Sequence, residues 1–180
     1  RKKNLIKKEG SLATNYPELA KEWHPIKNGD LKPEVLEILD LIKEYDATIA
    51  TGHISIGESI AVCNAARERG VRTVLTHPDW TCTTVPADVQ TQLVKKGVIL
   101  EKLWFDIGIN HVTAEYMAQT IRDAGVENCF MATDRGQSGK EYPVEGLMMF
   151  MDAMLDCGFS VEEIHIMTHE NPERVLGLRP

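Results

Sequence analysis

The sequence predicts an α/β fold built of parallel β/α units. Three observations carry this. Short β-type runs and amphipathic helical stretches alternate four times along the chain. The connections are short, and helix after helix ends on a glycine: Gly70, Gly97, Gly125 and Gly158. The β-type runs are apolar through most of their length, as strands buried on both faces must be.

Residues 1–30 read as an irregular N-terminal segment, polar and rich in the turn formers Asn15, Pro17, Pro25, Asn28, Gly29 and Asp30. Within it only Tyr16 to Trp23 has the pattern of a short helix. Residues 31–180 read as the β/α domain. Pro33 opens a helix whose apolar stripe is Val35, Leu36, Ile38, Leu39, Leu41 and Ile42. The expected strands are Ala47–Thr51, Arg72–Thr76, Val98–Leu103 and Cys129–Thr133. The expected helices between and after them are Glu58–Arg69, Pro86–Lys96, Thr113–Ala124 and Pro143–Cys157, with Thr113 as an N-cap. Two short helices, Val161–Met167 and Pro172–Leu176, follow, the first capped by Ser160. The strands should be adjacent, parallel and in chain order, because short right-handed crossovers make sequential neighbours.

Composition narrows the function classes. With 27 acidic and 20 basic residues the net charge is −7, which gives no general attraction to nucleic acid or to an anionic membrane. The basic cluster Arg1, Lys2, Lys3, Lys7 and Lys8 reads as a solvated terminus. No apolar run approaches a membrane span, and no secretory leader is visible. Cys63, Cys82, Cys129 and Cys157 stand far apart with no CxxC pair, so they read as buried free thiols of a reducing, cytoplasmic compartment. No glycine-rich phosphate loop is present. The Met-rich stretch Met148, Met149, Met151, Met154 reads as a helix packed against the sheet.

Chemistry gathers where the strands end. ATIAT leads into Gly52–His53, RTVLT into His77–Pro78, and CFMAT into Asp134–Arg135–Gly136. The third strand carries Glu101. Parallel β/α folds place their working site at the C-terminal ends of the strands. Imidazole and carboxylate there suit a zinc-like divalent metal. His53, His77 and Asp134 are therefore expected to converge, and Glu101 to line the same pocket. His24, His111, His165 and His169 lie away from strand ends and are expected to take no part. Trp80 and Trp104 stand near the strand ends, where pocket lining and ordinary packing are both open.

The strings ATGHIS, VLTHPDW, MATDRGQ and THENPERVLGL resemble the last four β/α units of the amidohydrolase superfamily, in particular its poorly characterised metal-dependent hydrolases. The resemblance runs from about Leu31 to Leu178. It implies half of a TIM-type (β/α)8 barrel. By position it implies His53, His77 and Asp134 as metal ligands, with Asp134 also taking the proton of the attacking water. It implies a divalent metal, zinc above all, and a small-molecule substrate with an amide, ester or related bond. Arg135, Gln137, Ser138 and Glu101 would contact that substrate. The family's HxH pair and its fourth-strand ligand have no counterpart here. The chain is thus expected to hold half a barrel and half a metal site, active only when the other half is supplied. The alternative is a catalytically inactive barrel remnant with a structural or assembly role. Unpaired barrel edges make a homo-oligomer the expected consequence. The string over residues 11–31 also resembles the start of a treble-clef zinc-binding repeat lacking its cysteines.

Overall fold

The computed structural model describes residues 24–80, 83–108 and 112–178. The basic N-terminal cluster, the Tyr16–Trp23 helix, most of the repeat-like string, Cys82 and His111 lie outside the described residues.

The described chain opens with a two-residue hairpin, β1 (Ile26–Lys27) against β2 (Asp30–Leu31). Residues 26–30 are therefore not irregular. Asn28 and Gly29 sit at φ 57° and 94°, the positive pair a tight hairpin turn requires. Pro33 then opens α1 (Pro33–Glu44), which buries Val35 and Leu39.

Four strands follow: β3 (Thr48–Ala50), β4 (Arg72–Leu75), β5 (Ile99–Leu103) and β6 (Cys129–Ala132). They form one parallel sheet in the order β3-β4-β5-β6, as the alternation predicts. Between them run α2 (Ile56–Glu68), α3 (Ala87–Val94) and α4 (Ala114–Ala124), and α5 (Pro143–Asp156) follows β6. α2 begins two residues before its expected start. Ser55 and Glu58 form a reciprocal capping box, with Ser55 N–H donating to Glu58 Oε2 at 2.9 Å. Thr113 caps α4 as expected.

All the larger helices lie on one face of the sheet. Side chains alternate along a strand, and the register puts Ile49, Thr73, Leu75, Leu100, Lys102, Cys129 and Met131 on one side. There Leu75, Leu100, Cys129 and Met131 pack with Cys63 of α2, Leu93 of α3, Met117 and Ile121 of α4, and Phe150 and Met154 of α5. Leu39 of α1 packs in a neighbouring cluster with Ala66, Val71 and Ile49. Side chains such as Leu39, Leu100 and Phe150, fully removed from water, each stabilise the fold by roughly 1.5–3 kcal/mol. On the opposite face Val74, Ile99 and Leu103 are buried, Thr48, Phe130 and Ala132 are half-buried and Ala50 is exposed.

The chain ends in one continuous helical run. α6 (Val161–His165), capped by Ser160, passes through a π-helical turn (Ile166–Glu170) into α7 (Asn171–Val175). The two expected helices are thus joined. Asn171 Nδ2 donates to Cys129 O at 2.6 Å and Val126 O at 2.7 Å, and Thr48 Oγ1 donates to Val175 O at 2.5 Å. This run therefore ties the starts of the first and last strands of the sheet. The Met-rich stretch is split: Met154 is buried and Met151 packs on the core, whereas Met148 and Met149 point outward. α5 follows an edge strand and packs against both α4 and α6. Among the described residues no helix is long and apolar enough to cross a membrane.

Candidate functional site

Three strands leave the sheet by the same local device, a threonine followed by a left-handed residue. The pairs are Thr51–Gly52, Thr76–His77 and Thr133–Asp134, with φ of 62°, 34° and 48° at the second position. Glycine takes this conformation freely. His and Asp take it at a cost, and it persists where the surroundings fix it. The threonines supply part of that fixing. Thr76 N–H donates to Thr51 Oγ1 and Gly52 N–H donates to Thr76 Oγ1, each at 3.1 Å. Phe105 N–H donates to Thr133 O at 3.2 Å and joins the exits of β5 and β6. The left-handed position equates Gly52, not His53, with His77 and Asp134. His53 stands one residue further along its loop.

His53 and His77 nevertheless meet. Their ring centroids are 4.4 Å apart, tilted by 60°. Trp80 stands edge-on to both, at 5.1 Å from His53 and 5.2 Å from His77. His53 is exposed, while His77 is 4% exposed beneath it.

The hydrogen bonds of His77 fix its tautomer. Thr83 Oγ1 donates its only proton to His77 O at 2.9 Å. The same oxygen lies 2.8 Å from His77 Nδ1. With the hydroxyl proton spent, Nδ1–H must be the donor there. In the neutral ring Nε2 then carries the lone pair, and Nε2 is buried without a hydrogen-bond partner. Burial, then the neighbouring His53, holds the imidazole below the ordinary histidine range, which favours this neutral form.

Glu101, on β5, is half-buried. Its carboxylate accepts the His77 backbone N–H, while burial and the charge of Asp134 push it above the usual carboxylate range. Asp134 itself is exposed, and Gln137 Nε2 donates to its carbonyl at 2.7 Å. Gln137 and Ser138 are open to solvent. Arg135 is not. Its Nε pairs with Glu141 Oε1 at 2.5 Å, and its guanidinium lies 5.2 Å from the Phe105 ring centre. Trp104 Nε1 donates to the same Glu141 oxygen. Trp104 also packs on Phe150, so it serves the core.

The two imidazoles suit a divalent metal, but Asp134 does not complete a set with them. Among the described residues no group of three or more His, Cys, Asp or Glu is arranged to hold a metal ion. His24 pairs with Glu58 at the start of α2. His165 and His169 face Glu170 and Glu173 on the helical run at the strand starts, away from the His53–His77 pair.

Sequence reasoning missed a buried polar network beside this site. Lys102 is 0% exposed, and its Nζ donates to Asp79 Oδ2 at 2.7 Å, Gln90 Oε1 at 2.9 Å and Thr120 Oγ1 at 3.0 Å. Gln90 Nε2 closes the ring by donating to Asp79 Oδ1 at 3.0 Å. Next to the network Asp106 is 1% exposed, on a 3₁₀ turn (Trp104–Asp106), and both its oxygens are buried without a partner. Burial, then Asp79, pushes its carboxyl up to about 7, with Asp134 and Glu101 adding and Lys102 opposing. One signal was in the sequence: a lysine inside the apolar strand ILEKL, alternating with Glu101, must find partners in the helical layer.

No curated protein and no solved structure matches this chain. A family model does, over residues 5–101, more than half of the sequence, taking in His53, His77 and Glu101 but stopping short of Asp106 and Asp134. The chain belongs to that family, the family of unknown function DUF6282.

Proposed function

We propose that the C-terminal face of the sheet is the site of a metal-dependent hydrolase of the amidohydrolase type. It acts on an amide, ester or related bond of a small molecule. The observation that carries the reading is the His53–His77 pair, with a neutral-state lone pair on buried, unpartnered His77 Nε2. That is the state in which imidazole ligates a metal, oriented through its other nitrogen. His53 and His77 would hold the metal. A bound divalent metal, zinc above all, would supply Lewis acidity at the scissile carbonyl and lower the pKa of a water. Asp134, exposed at the end of β6, accepts the proton of the attacking water. Trp80 walls the imidazoles on one side, and Gln137 and Ser138 line the open approach for substrate.

The reading includes a TIM-type barrel, of which these four strands are one half and which supplies the remaining ligands. One-faced helix packing supports it, because a doubly wound sheet carries helices on both faces. A second reading, a non-catalytic remnant, is favoured by one observation: the lack of a three-ligand group among the described residues.

Zinc titration by calorimetry tests the proposal. The wild type should bind one zinc ion. His53→Ala and His77→Ala should each weaken binding at least tenfold, and His165→Ala should leave it unchanged. No zinc binding by the wild type, or equal binding by His77→Ala, overturns the metal reading and leaves the remnant.

A further inference from the structure

The starts of the strands hold a cavity that the strand-end site leaves unused. Its volume is about 420 Å³, within the range of small-molecule sites. Arg67 from the last turn of α2, Arg72 from the first position of β4 and Arg174 from α7 line it, and among the described residues no acidic side chain does. Three guanidinium groups around one cavity are unexpected in a chain of net charge −7. All three arginines are half-buried. Glycine makes room for two of them. A Cβ on Gly97 would come within 2.8 Å of Arg67 Nη2, and one on Gly177 within 2.8 Å of Arg72 Nη2.

One of the three charges is balanced from the rim. Arg72 Nη1 pairs with Asp46 Oδ1 at 2.7 Å, and its Nε donates to Thr48 Oγ1 at 3.2 Å. Arg67 and Arg174 hold only backbone oxygens. Arg67 Nε donates to Lys96 O at 2.9 Å and its Nη1 to Val71 O at 2.7 Å, and Arg174 Nη2 donates to Glu127 O. Neither meets a carboxylate among the described residues. A guanidinium has five N–H donors. Arg67 with two bonds and Arg174 with one therefore keep most of theirs unused, and two positive charges stand without a counter-charge.

We propose that this cavity binds a phosphate group, free or carried by a small phosphorylated molecule. A phosphate monoester carries about −1.5 to −2 charges at pH 7, which matches the two uncompensated guanidiniums. Its oxygens point in tetrahedral directions and accept donors from several elements at once, whereas a carboxylate offers a single plane. Half-burial screens the attraction less than an open surface would. The cavity lies at the opposite end of the strands from His53 and His77, because Arg72 begins β4 and His77 follows its end. Binding there is separate from the proposed hydrolytic site and needs no metal.

¹⁵N–¹H NMR of the full chain, titrated in turn with sodium phosphate, glycerol phosphate and sodium acetate, tests this. Phosphate should shift the Gly97 and Asn128 amides and the Nε–H signals of Arg67 and Arg174. The shifts should saturate with a Kd of about 1 mM or tighter, and the Gly52 and His53 amides should stay in place. Arg174→Gln removes one uncompensated charge and should weaken binding roughly tenfold. Asp46→Asn releases Arg72 and should strengthen binding roughly threefold. Asn tolerates the left-handed backbone of this position, φ 49°, as Asp does, and a gain in affinity cannot come from damage to the fold. Tighter binding of glycerol phosphate than of phosphate identifies a phosphorylated small molecule as the ligand, and equal binding identifies free phosphate. The proposal is overturned by the absence of a saturable shift at these residues or by equal shifts with acetate. It is also overturned if Arg174→Gln and Asp46→Asn bind phosphate as the wild type does.

Discussion

Replacing Lys102 by Met tests the buried network with a signature that ordinary cavity formation lacks. Met fills much of the lysine volume, so the loss is mainly electrostatic. Three hydrogen bonds go. Thr120 keeps its bond to Met117 O at 2.9 Å, but Asp79 is left with the single donor Gln90. Breaking a buried pair from one side costs about 3–5 kcal/mol. The stranded carboxylate has one escape, which is to take up a proton. For an ordinary aspartate that costs about 4 kcal/mol at pH 7 and about 1.5 kcal/mol at pH 5. The destabilisation should therefore be about 4 kcal/mol at pH 7 and roughly half that or less at pH 5. Urea unfolding followed by far-UV circular dichroism measures both. With a slope of about 2 kcal/mol per molar urea, the midpoint falls by roughly 2 M at pH 7, with the slope itself unchanged. Adding Asp79→Asn should restore part of the loss at pH 7 and little at pH 5. A loss under about 1 kcal/mol at pH 7, or one of equal size at both pH values, would refute the reasoning.

Two further outcomes are expected. The Cys63 and Cys129 thiols are buried and pushed up to about 12. In the native state at pH 8 both should resist alkylation, while half-buried Cys157 should be modified ahead of them, as peptide mapping by mass spectrometry would show. Among the described residues β3 and β6 each pair on one side only, and α1 and α5 turn Ile38, Leu41, Val144 and Met148 outward. Size-exclusion chromatography with light scattering over a tenfold concentration range should show association, and a monomer at every concentration would count against an incomplete barrel.

The amino-acid order alone determined the parallel sheet, because its signals are local. Apolar runs such as RTVL and CFMA, glycine stops after helices, and the Thr113 and Ser160 caps each act within a few residues. Short crossovers then leave one strand order. The strand-end candidates were legible for the same reason, since position in a β/α unit decides which end of the sheet a residue occupies. What tertiary structure decided was which of them meet. His53 and His77, on separate loops, close to 4.4 Å, and Arg135 turns from the pocket to Glu141. Neither outcome is encoded near the residue concerned, because each depends on φ values and partners that other strands supply. The hairpin at Asn28–Gly29 and the start of α2 at Ser55 were written locally, in an Asn-Gly pair and a Ser-x-x-Glu box, and reading missed them. The Lys102–Asp79–Gln90–Thr120 ring and the solitary Asp106 were beyond such reading. Their members come from β5, the loop after β4, two helices and a 3₁₀ turn, and burial makes their charges matter only once those elements have packed.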